Sequence, residues 1–93
     1  MSWKDLQLST IGLLIRVRQE QDRQIEKWGV QTHSPFEWLT YLVEEVGETA
    51  KAISEFLYRN GQREEIMKEA IQVATLALKI AEMAEWAPLE RGD

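Results

Sequence analysis

Ser34-Pro35-Phe36-Glu37 is a complete helix-start signal, and it fixes where one long helix of this chain begins. Ser34 is placed to cap. Pro35 suits the first helical position, where a backbone N–H would go unpaired anyway, and Glu37 closes a capping box by reaching back to the cap. Asn60-Gly61 sets the other end, since both residues tolerate the left-handed backbone that stops a helix. The helix between them is expected over about 35–59. Gly29 to Ser34 forms a loop that separates it from a first helix, about 3–26, capped by Ser2 and carrying Leu6, Ile11, Leu14, Ile15 and Val17 as apolar positions. A third helix is expected over about 63–85, with Pro88 and Gly92 marking a frayed tail. Nothing reads as a strand, an internal repeat or a linker. The expectation is an all-α fold, a single helical domain over residues 1–93 built as a three-helix protomer.

A chain of 93 residues and 10.8 kDa is small enough that a lone core is marginal, and oligomerisation is a natural remedy. The net charge of -5 speaks against a nucleic-acid partner and against an anionic membrane surface, because both need a basic footprint. With no cysteine, disulfides and thiolate metal sites are excluded. The start of the chain carries Asp5, Arg16 and Arg18 around a short apolar stretch, with no cleavage-site pattern. It does not read as a signal peptide, no segment approaches a membrane span, and a cytoplasmic location is expected.

Stepping 100° per residue resolves helix two into faces. Leu39, Leu42, Val43, Val46, Ala50, Ile53 and Leu57 form one stripe, expected to be the core face. Trp38, Tyr41, Glu45, Glu48 and Ala52 form a second face, whose mixture of aromatics and acids suggests the wall of a cleft or an interface. On helix three, Ile66, Ala70, Val73, Ala77, Ile80 and Ala84 are expected in the core, while Glu65, Glu69, Gln72, Leu76 and Lys79 line the adjacent edge. From Ile71 to Ala81 only Gln72, Thr75 and Lys79 interrupt an apolar run, so this helix needs cover on several sides. Three helices cannot supply it all. A second subunit is expected, giving an intersubunit four-helix or larger bundle with helix three near the contact.

The acids carry the clearest chemical signal. Glu44-Glu45-Val46-Gly47-Glu48 lies on helix two, and Glu65 and Glu69 followed by Gln72 lie on helix three. Packed together, the two helices would bring several carboxylates to one place, and hard cations such as Mg²⁺ favour such oxygen ligands beside substrate phosphates. Taken alone, EExxE on a helix is most often a solvated, charge-rich turn, and Glu64 and Glu65 also suit the start of a helix dipole. The recurrence of acids on a second helix, flanking an apolar segment, favours the site. His33 reads as a turn residue, and with no Glu-x-x-His pair the di-iron bundle arrangement is absent. Trp28, Phe36, Trp38 and Tyr41 fit either a core or a base-stacking role, and Trp86 reads as packing. In the absence of a Gly-rich phosphate loop, phosphates would be held by metal and by scattered Lys or Arg.

The segment KWGVQTHSPFEWLTYLVEEVGETAKAI, with KEAIQVATLALKIAEM after it, resembles the MazG-like branch of the all-α nucleoside triphosphate pyrophosphohydrolases over about residues 27–83. Glu44, Glu45 and Glu48 match the first half of the family's EExxE…ExxD signature, and Glu69 matches the first position of the second. Trp28, Gln31, Thr32, Ser34 and Leu42-Val43 also fit. The resemblance implies a homodimer or homotetramer of helical bundles. It implies a hydrolase acting on acid anhydrides, which uses Mg²⁺, with Mn²⁺ able to substitute, to cleave a nucleoside triphosphate to the monophosphate and pyrophosphate, in a house-cleaning role. Transferred residue by residue, it gives Glu45, Glu48, Glu69 and Gln72 to the metal and leaves Glu44 to orient or deprotonate the attacking water. Trp28 and Trp38 would then discriminate among bases, helped by Gln31. Two departures accompany it. Gln72 stands where the family has aspartate, and no Asn- and Lys/Arg-rich segment follows helix three, so Lys51, Lys68, Lys79 or a neighbouring subunit would have to meet the phosphates. The alternative is a catalytically degenerate helical protein that binds nucleotides or other partners without turnover.

Overall fold

The structure is a computed structural model that describes residues 11–89 and Arg91. It is all-α, with α1 spanning Ile11–Trp28, α2 Pro35–Tyr58 and α3 Arg63–Trp86. The expected Ser2 cap, the start of α1 near Trp3, Leu6 and Gly92 lie outside the described residues.

The punctuation of α2 follows local chemistry. Glu37 N–H donates to Ser34 Oγ at 3.2 Å, and Ser34 N–H donates to Glu37 Oε1 at 2.9 Å, which closes the capping box. The bond from the Ser34 N–H also holds the Glu37 carboxyl below the usual carboxylate range. At the other end Asn60 takes the left-handed conformation, with φ 63°. Gly61 does a different job from the one its sequence position suggests. Its N–H donates to Glu55 O at 2.8 Å, and a Cβ there would stand 2.8 Å from the Glu55 carbonyl carbon, so close approach rather than an unusual φ demands glycine. Gly29 ends α1 with φ 76° and donates to Ile25 O at 2.7 Å.

α3 is the central helix, since α1 and α2 both pack on it and not on each other. Arg16 of α1 reaches Glu64 at the start of α3 with a 2.6 Å ion pair, and Lys79 Nζ donates to Gln24 Oε1 at 2.5 Å near the other end. Val17, Trp38, Ala52, Thr75 and Leu76 are buried. Thr75 satisfies its hydroxyl by donating to Ile71 O at 2.8 Å.

This core is not the expected one. On α2 the edge that meets α3 is Trp38, Glu45, Thr49, Ala52 and Phe56, all buried or half-buried. The face read as a cleft wall or interface thus turns towards α3, with Trp38 and Ala52 buried, Glu45 half-buried, and Tyr41 and Glu48 exposed. The aliphatic stripe lies about 100° farther round the helix. There Leu39, Val43, Val46, Ile53 and Leu57 are each between 41% and 59% exposed, and Ala50 is exposed with them, while Leu42, nearer α3, is half-buried. On α3 the outcome is mixed: Leu76 is buried, Glu69, Gln72 and Lys79 are half-buried, and of the expected core stripe Ile66, Val73 and Ile80 are half-buried too, whereas Ala70, Ala77 and Ala84 are exposed. On α1 only Val17 of the predicted apolar set is buried, and Ile11, Leu14 and Ile15 are exposed.

Candidate functional site

Where α2 meets α3, three polar side chains stand level. Glu45 projects from α2 towards Glu69 and Gln72, one turn apart on α3. With its amide nitrogen turned to Glu45, as hydrogen bonding requires, Gln72 donates to the two Glu45 oxygens at 2.6 Å and 3.1 Å. Burial pushes the Glu45 carboxyl up to about 7, and the rise is reinforced by a hydrogen bond with Glu69 and by the charges of Glu69, Glu48 and Glu44. The Gln72 donors favour the ionised form and pull the other way. Glu69 keeps one oxygen, Oε2, buried with no hydrogen-bond partner. A buried carboxylate oxygen without a donor is costly, so this one is open to an incoming proton, donor or cation.

One turn along α2, Glu48 leads into a cavity of about 200 Å³ that it shares with Lys51, Glu55, Gln62, Glu65 and Glu69. Glu55 and Glu65 thus join the acidic end of the site. Glu65 stood in the sequence cluster, but Glu55 was passed over, although its place seven residues after Glu48 puts it on the same edge of α2. Lys51 brings a positive charge to that cavity, and Lys68 lies 3.9 Å from Glu65. Glu44 is exposed on the outer side of α2 and lines neither cavity, acting on Glu45 only as a neighbouring charge. Among the described residues, no three acid or histidine side chains are arranged to hold an ion as they stand.

A larger cavity, about 680 Å³, opens between α1, the Gly29–Ser34 loop and the end of α3. Gln31, Trp38 and Lys79 line it. Trp38 forms the rigid wall: His33 meets it edge-on with ring centres 4.7 Å apart, and His33 in turn meets Tyr41 at 5.1 Å. The turn histidine is therefore also a brace for the cavity. Lys79 sits 5.2 Å above the Trp38 ring, and burial lowers its pKa from the usual lysine value. Trp28 does not belong here. It is 52% exposed, with Lys27 Nζ 4.6 Å and the Arg23 guanidinium 5.8 Å from its ring centre, and it lines neither cavity. Trp86, expected as packing, is 78% exposed and lines the cavity instead, with Glu82 and Met83. Glu82, Met83 and Trp86 continue the α3 edge of Glu65, Glu69, Gln72, Leu76 and Lys79, so carrying that spacing two turns farther would have found them.

The two halves lie in register. Trp38 precedes Glu45 by two helical turns and Lys79 follows Gln72 by two, so the aromatic cavity and the acids are about 10 Å apart along one helix pair. The arrangement can hold an extended ligand with a flat apolar end and an end needing cations. No family model, no curated protein and no solved structure matches the chain. No helix among the described residues is long and apolar enough to cross a membrane.

Proposed function

We propose that this chain is a Mg²⁺-dependent pyrophosphohydrolase that cleaves a nucleoside triphosphate to its monophosphate and pyrophosphate, working as a homo-oligomer. The reaction class comes from the resemblance of its EEVGE and KEAIQ segments to the MazG-like enzymes. The observation that carries the reading is the alignment, on one helix pair, of a crowded acidic site with an aromatic cavity two turns away.

The donor set fits a hard cation. Glu45, Glu48 and Glu69 offer only oxygen, Gln72 can turn its carbonyl oxygen inward, and the unpartnered Glu69 Oε2 is an atom whose position a cation would relieve. When bound, Mg²⁺ would supply the positive charge that lets a polyphosphate approach carboxylates and would stabilise charge on the phosphoryl oxygens. Glu45 must give up its shared proton to bind the ion, so affinity should rise with pH through about 7. The two cavities divide the basic residues. Lys51, at the acidic end, is placed for phosphate, whereas Lys79, above Trp38, is placed beside the base. Trp38 offers a stacking face and Gln31 a base-edge partner, and Trp28 drops out of the substrate set. Glu44, on the outer side of α2 and lining neither cavity, drops out of the water-activating role and acts on the site only as a charge beside Glu45. The water oxygen bonds to phosphorus as the bond to the leaving pyrophosphate breaks.

The test is pyrophosphate release over a panel of nucleotides, with and without Mg²⁺. Wild type should release it only with the ion, and Glu45→Gln should lose activity on the order of a hundredfold or more, the scale for removing one electrostatic group from a reacting centre. Full activity in Glu45→Gln, Glu48→Gln and Glu69→Gln alike would place the chemistry elsewhere. The grip of Gln72 on Glu45 favours one second reading, a nucleotide-binding protein without turnover. Gln72→Asp separates the two: gain of release in an otherwise inactive chain supports the second, and a shifted Mg²⁺ requirement in an already active one supports the first.

A further inference from the structure

The cavity between α1, the Gly29–Ser34 loop and the end of α3 contains one acid that takes no part in the chemistry proposed above. Glu82 lines it, one turn after Lys79 on the same edge of α3. Its side chain is exposed, and the lysine beside it directs a hydrogen bond elsewhere: Lys79 Nζ donates to Gln24 Oε1. Gln24 is held in that orientation because its amide nitrogen donates to Glu20 Oε2 at 2.9 Å. An ammonium has three N–H donors, so with one taken by Gln24 the others are left for the cavity. The charge of Glu82 acts on Lys79. Residues three apart on a helix have Cβ atoms about 5–6 Å apart, so the two groups can face one ligand side by side. The wall thus presents a group that only donates, followed by a group that only accepts and does so with two oxygens. At about 680 Å³ the cavity has room for a purine nucleoside, and Trp38 and Trp86 supply flat apolar surface.

We infer that Lys79 and Glu82 read the Watson–Crick edge of a base in this cavity and select guanine. This selection presupposes that the ligand is a nucleotide, as proposed above, and adds the base. Guanine shows one acceptor, O6, followed by two donors, N1–H and the 2-amino group. That order is the complement of an ammonium followed by a carboxylate, and lysine on O6 is a recurrent pairing. Adenine can give its 6-amino group to the carboxylate and its N1 lone pair to the ammonium, but it leaves the second oxygen empty. Uracil and cytosine each turn a lone pair onto a carboxylate oxygen, which repels it. Hypoxanthine keeps O6 and N1–H and lacks only the amino group, so it isolates the contact to Glu82. A site built to accept a hydrogen bond discriminates against the analogue that cannot give one.

Uncharged nucleosides test this without metal or phosphates. Deoxyguanosine, deoxyinosine, deoxyadenosine and deoxycytidine are titrated into the full chain, and affinities are read from the indole N–H resonances of Trp38 and Trp86. Deoxyguanosine should bind roughly tenfold or more tighter than deoxyinosine, the scale of one good contact to a base edge. Glu82→Gln, at an exposed position where replacement leaves the packing alone, should bring the two together. Glu85→Gln removes the same charge from an exposed residue that lines neither cavity, and should leave the gap as it is. Lys79→Met should weaken both nucleosides alike, since both carry O6. Equal affinity of wild type for deoxyguanosine and deoxyinosine overturns the proposal, as does a preference for deoxyadenosine or deoxycytidine, or no binding of any of the four at millimolar concentration. A chain that prefers deoxyguanosine but never releases pyrophosphate keeps guanine selection and loses the hydrolase. Mg²⁺-dependent release that is indifferent to the base does the reverse.

Discussion

The two sides of the α2–α3 pair are level with each other, share their backbone, and could hardly differ more. One side, roofed in part by α1, crowds Glu45, Glu69 and Gln72 under a wall of Trp38, His33 and Tyr41. The other presents aliphatic residues on alanines without a charge. The ordinary rule that a helix turns its most apolar stripe to its own core selects the wrong side here. The protomer closes around its polar side instead. That interior is a weak source of stability, since a carboxyl pushed up to about 7 and an unpartnered carboxylate oxygen both oppose burial. The larger reserve of apolar area stays on the surface of the described chain.

The sharpest way to break this comparison is to empty the polar side of its largest buried side chain. Trp38→Ala should cost about 3–5 kcal/mol in denaturant unfolding, the range for deleting a buried aromatic. The ring is buried against His33 and Tyr41, and its loss would leave a void next to the 680 Å³ cavity. Val43→Ala, on the open side and 58% exposed, should cost a dissociated protomer only a few tenths of a kcal/mol. If the two substitutions cost the same under dissociating conditions, the assignment of interior and exterior is wrong.

A smaller effect should appear as pH dependence confined to the polar side. The folded-state pKa of Glu45 is raised from an ordinary 4.5 to about 7. Between those values the native state binds more protons than the unfolded chain, so stability must fall as pH rises. The stabilising contribution is fully present below pH 4.5 and lost through about pH 7. Chemical denaturation of the metal-free protein from pH 5 to pH 8 should therefore show a declining midpoint that Glu45→Gln flattens. Mg²⁺ should restore the midpoint of wild type at pH 8, because a ligand that binds only the folded state stabilises it. A flat wild-type profile would mean that the Gln72 donors outweigh burial and the neighbouring acids.

How far the sequence discloses this arrangement depends on the range of the interaction involved. The start of α2 was legible because Ser34, Pro35 and Glu37 settle it among themselves. Asn60 was legible for the same reason, while the need for glycine at Gly61 arises from contact with Glu55 six residues back. Grouping Glu45, Glu69 and Gln72 required only helical spacing and the assumption that α2 meets α3. Periodicity cannot say which helix covers a stripe. A row buried by another molecule and a row buried by the same chain have the same period, and that ambiguity exchanged the two faces. Trp28 and Trp86 were misread for a related reason: an aromatic near a loop declares neither its direction nor its company, and Lys27 and Arg23 hold one while a cavity receives the other.

Gly47 supplies the finest test, because it belongs to neither side. It lies in the middle of α2 and, by helical geometry, points about 180° away from α3. A Cβ added there would meet nothing within 4 Å. Glycine inside a helix costs roughly 0.5–1 kcal/mol relative to alanine, through the backbone freedom lost on folding. Gly47→Ala should thus stabilise the protein by about that amount and raise its thermal midpoint by roughly 2–8 °C. Assembly mass and pyrophosphate release should be unchanged if association uses the aliphatic side and catalysis the acidic one. A stabilised protomer that no longer associates would show the partner's backbone reaching round α2 to its outer side. A stabilised assembly that loses turnover would show that the ligand comes over Glu44 and needs the space beside it.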